Sequence, residues 1–241
     1  MAVQVWAHRG NSSQFPENTM EAFASALSLG ADGLEIDIHL TSDDQIVVTH
    51  DESIERVSNG TGFVKDQSFA HLRSLVFNKT HPDSAPDAKI PLLSEVLELV
   101  KPTNAVINIE IKSGVVLYPD IEKKALAMIR DFGMQDRILF SSFNHFSLMT
   151  LKQLEKSTQI GLLYSAALVD PAFYAAHIDA QAIHPFYPSC FAPGVMEGCL
   201  KYNIQANPWT VDDPDLMKRL AKAGVHAVIT NQPALALETL K

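Results

Sequence analysis

Cysteine is nearly absent: Cys190 and Cys199 are the only two in 241 residues, with no Cys-x-x-Cys pair and no histidine at zinc spacing. That rules out a disulfide framework and a thiolate metal site, and leaves two reduced structural thiols. Long apolar runs are missing too, none approaching the roughly 20 residues that a membrane span requires. The opening Met-Ala-Val-Gln-Val-Trp-Ala-His-Arg-Gly holds no basic segment, apolar core or cleavage site, so the expectation is a cytoplasmic protein without a membrane anchor. Positive charge is in deficit, with 19 Lys and Arg against 28 Asp and Glu and a net charge of −9. No basic face is offered to nucleic acid, and anionic lipid would be a poor docking surface.

What remains is an ordinary core. Apolar residues make up 46% of the chain and charged residues 20%, as in a soluble globular protein, and the length suits a single α/β barrel domain over 1–241.

Residues 33 to 51 organise the rest. From Leu34 to Leu40 the sequence alternates strictly, with Leu34, Ile36, Ile38 and Leu40 on one side and Glu35, Asp37 and His39 on the other. This is the two-residue period of a strand with one apolar and one acidic face. The polar cluster Thr41-Ser42-Asp43-Asp44-Gln45 and the run Ile46-Val47-Val48-Thr49-His50 then predict a hairpin. A turn centred on Asp43-Asp44 would pair Leu40 with Val47 and Asp37 with His50, returning the imidazole to the carboxylates.

Around this hairpin the chain alternates strand and helix. A first strand over 3–8 leads to a helix for which Asn18 is the expected N-cap, with Glu21 at N3. Residues 52 to 89 show no sustained period and contain Asn59-Gly60, Pro82 and Pro86, so they are expected to form a small inserted cap. Beyond them the rhythm resumes, with strands at 105–112, 137–142, 159–164, 181–185, 203–209 and 225–230. The helices between and after them include one opened by Asp212-Asp213-Pro214 and a closing one from Pro233. Eight strands and eight helices, leaving aside the hairpin's return arm, predict a (β/α)8 TIM barrel. An open doubly wound sheet is the alternative, but no Gly-x-Gly-x-x-Gly follows the first strand.

A barrel carries its chemistry at the C-terminal strand ends. There the chain has His8-Arg9-Gly10, then Glu35 and Asp37, then Asn108-Ile109-Glu110-Ile111-Lys112. Three carboxylates on adjacent strands repel one another unless a cation lies among them. All-oxygen ligands point to a hard divalent ion, Mg²⁺ or Ca²⁺, held by Glu35, Asp37 and Glu110; ion pairing with Arg9 and Lys112 alone is the simpler structural reading. Arg9 and Lys112 beside a metal suit an anionic phosphate. His8 and His50 at the same mouth can supply an acid for one oxygen and a base for the other. Phe143 and Trp209 offer either an apolar wall beside the substrate or plain core packing.

The motifs Ala7-His8-Arg9-Gly10, Pro16-Glu17-Asn18-Thr19, Leu34-Glu35-Ile36-Asp37, Val48-Thr49-His50-Asp51 and Asn108-Ile109-Glu110-Ile111-Lys112, in this order, resemble the glycerophosphodiester phosphodiesterase family. Ser141-Ser142-Phe143 and Trp209-Thr210-Val211 extend the resemblance over nearly the whole chain, closest to the short cytosolic bacterial type. It implies metal ligation by Glu35, Asp37 and Glu110, acid–base roles for His8 and His50, and phosphate contacts from Arg9 and Lys112. The implied reaction converts glycerophosphodiesters such as glycerophosphocholine and glycerophosphoethanolamine to sn-glycerol 3-phosphate and an alcohol, through a cyclic phosphate. One departure stands out. The family usually ends its last strand in Thr-Asp-x-Pro, whereas this chain has Thr230-Asn231-Gln232-Pro233. Two other readings compete: a glycosidase using Glu35 and Glu110, which would leave Arg9, Lys112 and the histidines idle, and a non-catalytic phosphodiester-binding protein.

Overall fold

Parallel strands need crossover connections, and the helices between them begin and end where the residues dictate. The computed structural model describes residues 2–241. Its strands are β1 (Gln4–His8), β2 (Gly33–Leu40), β3 (Ile46–Val48), β4 (Val106–Ile111), β5 (Ile138–Ser142), β6 (Gln159–Tyr164), β7 (Ala182–Pro185), β8 (Gln205–Ala206) and β9 (Ala227–Thr230). The helices are α1 (Met20–Ser28), α2 (Phe69–Ser74), α3 (Leu93–Val100), α4 (Ile121–Phe132), α5 (His145–Leu154), α6 (Pro171–His177), α7 (Val195–Tyr202), α8 (Pro214–Ala223) and α9 (Pro233–Leu240). None is long and apolar enough to cross a membrane. Side-chain caps open several of them: Asn144 accepts from Phe146 N, Asp170 from Phe173 N and Asp213 from Leu216 N, the last two followed by Pro at the first helical position.

All barrel strands are parallel, in the order β8-β7-β6-β5-β4-β2-β1-β9. The seam between β8 and β9 is bridged by His226 N to Ala206 O at 2.9 Å, Ile229 N to Pro208 O at 3.0 Å and Val211 N to Ile229 O at 2.9 Å. This is the eight-stranded TIM barrel expected from the alternation. Strand β8 is shorter than the predicted 203–209. Asn203 still closes α7 in the left-handed region, with φ 55°, and Pro208 has no N–H to give a ladder. The outward strand residues, including Leu34, Ile36, Ile38, Ile107, Ile109 and Ile111, pack with the helices in one continuous core. Inside, Trp6, Leu139, Ala182, Ala227 and Ile229 plug the barrel below the charged mouth.

The hairpin differs from expectation by one residue. Ile38 pairs with Val48, His39 with Val47 and Leu40 with Ile46. The cause lies in the turn. Asp44 adopts φ 63°, so Ser42, Asp43 and Asp44 form a three-residue loop in which Thr41 N donates to Gln45 O at 3.0 Å. His50 is therefore not opposite Asp37; the ladder ends at Val48 and Thr49 N donates to Asp37 O at 3.0 Å.

Residues 52 to 89 hold α2, too short to show a period in the sequence, and pack a small separate core against β3 and Ile90. Val47, Ile54, Val57, Val64, Leu72, Phe77 and Ile90 are buried together, and a bidentate Arg73–Glu95 pair ties α2 to α3.

The barrel interior tolerates little change at Gly161. A Cβ there would lie 2.4 Å from Nε2 of the fully buried His184, which accepts from Asn207 Nδ2 at 3.2 Å. Gly161→Ala should lower the urea midpoint with its slope retained, a loss of about 1–3 kcal/mol from overpacking. An unchanged midpoint would mean that His184 yields freely.

Candidate active site

Strand register, more than any loop, sets the site. Cross-strand neighbours in a sheet share a face, and the pairing puts His8 beside Glu35 and Asp37 beside Glu110. All three carboxylates are buried, and one oxygen from each falls within 4.8 Å of the others. Arg9 leaves β1 with φ 56° and Gly10 with φ 83°. A Cβ on Gly10 would stand 2.7 Å from the Ala22 carbonyl carbon, so only glycine lets the chain turn so close to α1.

Two cations serve the cluster. Lys112 Nζ is 2.8 Å from Glu110 Oε1 and 3.6 Å from Asp37 Oδ1. Arg9 Nη1 donates to Glu17 Oε1 at 2.8 Å, while its buried Nε, 3.6 Å from Asp37 Oδ2, has no hydrogen-bond acceptor. Burial opposes ionisation of Asp37, but Lys112, His50, Arg9 and the Asn18 amide overcome it and hold Asp37 well below the usual carboxylate range. The two glutamates go the other way. Burial, then Asp37 and Glu110, raise Glu35 well above its ordinary value, and burial, resisted by Lys112, pushes Glu110 up to about 7. One Asp37 oxygen, Oδ1, has no hydrogen-bond partner. A hard cation among these oxygens would satisfy that atom and reverse the shifts of both glutamates, so the donor set fits a divalent metal.

The histidines flank the acids, each with one ring nitrogen engaged. His8 Nδ1 is 2.7 Å from Asn231 Oδ1, and its Nε2 is 3.9 Å from Glu35 Oε2. Burial and the Arg9 charge lower its pKa to about 4, leaving the ring neutral. His50 Nδ1 lies 2.6 Å from Asp51 Oδ1, and His50 O accepts from His39 Nε2 at 3.1 Å. His39 is held neutral by burial, its pKa near 4, and takes the Tyr118 hydroxyl hydrogen at Nδ1 over 2.7 Å. His50 thus reaches the mouth through its anchored carbonyl despite the shifted register.

Phe143 and Trp209 meet edge to face with centroids 5.6 Å apart, and Phe186 lies 5.7 Å from Trp209. Phe143 is half exposed, and Trp209 is fixed by donation from Nε1 to His184 O at 2.8 Å. These rings stand at the C-terminal ends of β5, β7 and β8, on the same face as the carboxylates.

Asn18 corrects the sequence reading. The N-cap of α1 is Thr19, with φ −115°, accepting from Ala22 N. Asn18 has φ 55° and gives Nδ2 to Asp37 Oδ2 at 2.8 Å; Oδ1 of the same amide is buried without a partner. Sequence reasoning also missed an ionic chain around the mouth. Arg56, from the insertion, forks onto Glu17 at 2.7 Å twice and reaches Asp51 at 2.6 Å. Arg9, Glu17, Arg56, Asp51 and His50 are joined in that order. Glu17 and Asp51 lie inside the recognised motifs, but nothing local marks Arg56.

Known proteins share this chain's sequence and fold. The model of the glycerophosphoryl diester phosphodiesterase family matches residues 8–235. A glycerophosphodiester phosphodiesterase of Caldanaerobacter subterraneus subsp. tengcongensis is 42% identical over 241 residues, covering 100% of this chain and 99% of the relative. One from Bacillus altitudinis is 35% identical over 98% of this chain and 97% of its own. Among solved structures, an Oleispira antarctica phosphodiesterase in complex with the product sn-glycerol-3-phosphate superposes with a TM-score of 0.90 at 26% identity, covering 99% of this chain and 96% of that one. A glycerophosphodiester phosphodiesterase from Agrobacterium tumefaciens gives 0.86 at 26% identity over 98% and 99%. The chain belongs to the glycerophosphoryl diester phosphodiesterase family, and its activity is that of a glycerophosphodiester phosphodiesterase.

Proposed function

We propose that the enzyme hydrolyses glycerophosphodiesters such as glycerophosphocholine and glycerophosphoethanolamine to sn-glycerol 3-phosphate and an alcohol, in the cytoplasm, with Mg²⁺ or Ca²⁺ bound. The observation that carries this reading is two histidines, each with one ring nitrogen fixed, on either side of a buried three-carboxylate cluster with two cations. Glu35, Asp37 and Glu110 would hold the metal, which supplies Lewis-acid stabilisation of charge on the phosphoryl oxygens. Arg9 and Lys112 bind the phosphate; the buried, unaccepted Arg9 Nε is a donor available for it.

The proton transfers follow from the hydrogen bonds. Asn231 gives Nδ2 to the Asp212 carboxylate at 2.8 Å, so its Oδ1 must be the atom facing His8, and His8 carries its hydrogen on Nδ1. Nε2 is then a free base on the cluster side of the ring. His8 takes the proton of a glycerol hydroxyl as that oxygen attacks phosphorus. His50, whose imidazolium the Asp51 carboxylate supports, gives a proton to the departing alcohol. The roles reverse when water opens the cyclic phosphate. Phe143 and Trp209 form an apolar wall for the substrate, and residues 52 to 89 act as a cap that carries Arg56 to the mouth.

The test is release of sn-glycerol 3-phosphate from glycerophosphocholine, coupled to its dehydrogenase, with Mg²⁺, with Ca²⁺ and after chelation. Chelation should abolish turnover, and persistence of activity would remove the metal from the reaction. His8→Ala and His50→Ala should each lower kcat by about 10²-fold or more while metal titration is preserved; near-normal turnover in either would take that residue out of the mechanism.

A second expectation concerns pH. Glu110 and Glu35 have folded pKa values above their unfolded ones, so between about pH 4.5 and 7 these two groups hold protons in the metal-free native state that they have lost in the unfolded chain. Their contribution to stability therefore falls as pH rises through that window, opposite in sign to that of His8 and His39, whose folded pKa values are lowered to about 4. Metal replaces those protons, so its addition should raise Tm more at pH 8 than at pH 6. Equal increments at the two pH values would count against ligation by these glutamates.

A further inference from the structure

The reaction just described gives Asp212 no contact with the reacting atoms, and the chain has Asn231 just past the last strand where the family resemblance calls for aspartate. The two residues are in contact. Asp212 Oδ2 accepts Asn231 Nδ2 at 2.8 Å, and Asp212 Oδ1 accepts both Asn231 N at 2.8 Å and Thr230 Oγ1 at 2.9 Å. Three donors thus hold the carboxylate in one orientation. Capping of α8 does not account for it, because Asp213 does that.

On the other side of the amide, Asn231 Oδ1 meets His8 Nδ1 at 2.7 Å and Ser12 Oγ at 3.0 Å. We propose that Asp212 is a positioning residue for His8, acting through Asn231: it supplies, one hydrogen bond further back, the carboxylate that the end of the last strand lacks. The inference rests on the acid–base role proposed for His8.

An asparagine amide is nearly symmetric in shape, and its two ends differ only in what they can bond. A carboxylate accepts and never donates when ionised. With Asp212 in place, Nδ2 must face it and Oδ1 must face the imidazole. Turned over, the amide would set an N–H against His8 Nδ1, and the ring would carry its hydrogen on Nε2 instead. That tautomer has no lone pair toward the carboxylate cluster and cannot take a proton from an attacking hydroxyl. Asp212 therefore selects the reactive tautomer from two bonds away, as a carboxylate in direct contact with a histidine does elsewhere.

The experiment is steady-state turnover of glycerophosphocholine by the metal-loaded enzyme and by Asp212→Asn, Asn231→Asp, the reciprocal double variant, and His8→Ala. Asp212→Asn removes the charge that orients the amide; Asn231→Asp sets two carboxylates against each other. Each single change is expected to lower kcat about tenfold or more, with KM and metal titration near wild type. The double variant is expected to recover most of the loss, because it places a carboxylate directly on His8 and an amide behind it. A second readout does not depend on turnover: ¹⁵N shifts of the His8 ring should report hydrogen on Nδ1 in the wild type and in the double variant, and a mixture in Asp212→Asn. Wild-type kcat in Asp212→Asn would overturn the proposal, as would a double variant no better than the worse single, or an unchanged tautomer. Full turnover by His8→Ala would instead remove the acid–base reading on which the proposal stands.

Discussion

Repulsion among Glu35, Asp37 and Glu110 is the constraint to which most of the molecule answers. At an effective dielectric of about 20, two carboxylates some 5 Å apart cost roughly 3 kcal/mol, and burial adds to this. Parallel pairing forces them together, because alternation along β2 and its register with β4 place acids on the inner face of neighbouring strands. Lys112 bridges two of them, Arg9 approaches one, and Asn18 donates to the same Asp37. Without further positive charge the protein reaches only a compromise, with Asp37 ionised and the two glutamates pushed toward their neutral forms. A divalent cation held among the three, as proposed, would remove that compromise.

The outer ring of charge solves a different problem. Arg9 would fold onto Asp37 completely if nothing drew it away, and Glu17 does so. Glu17 in turn needs Arg56, and Arg56 needs Asp51, which orients His50. A residue from the insertion thereby bears on groups at the ends of β1 and β3 that it never touches. The small apolar core that residues 52 to 89 share with Val47 and Ile90, together with the Arg73–Glu95 pair, gives that contact a fixed base.

Much of this was legible in the chain, and the parts that were not share a cause. Strict alternation from Leu34 to Leu40 and in Asn108–Lys112 disclosed which carboxylates face inward, because a two-residue period leaves no other choice. The hairpin register was misread since it turns on one backbone angle, φ at Asp44, that aspartate adopts only in some turns. Asn18 and Thr19 are both competent caps; three-dimensional demand from Asp37, absent from any local window, decided between them. Arg56 and Glu17, 39 positions apart, and Asp212, hidden in what reads as a helix start, answer to the same logic. Short-range pattern yields faces and elements, whereas partners of polar side chains are settled by closure of the barrel.

Closure also brings the two ends of the chain together at the candidate site. The seven residues proposed to act on phosphate and metal all lie between His8 and Lys112, in the first half of the chain. The amide oxygen hydrogen-bonded to His8 Nδ1 belongs to Asn231, 223 residues further on and just past the last strand. A chain that stopped short of β9 would lack both the strand that pairs with β1 and the amide proposed to direct His8.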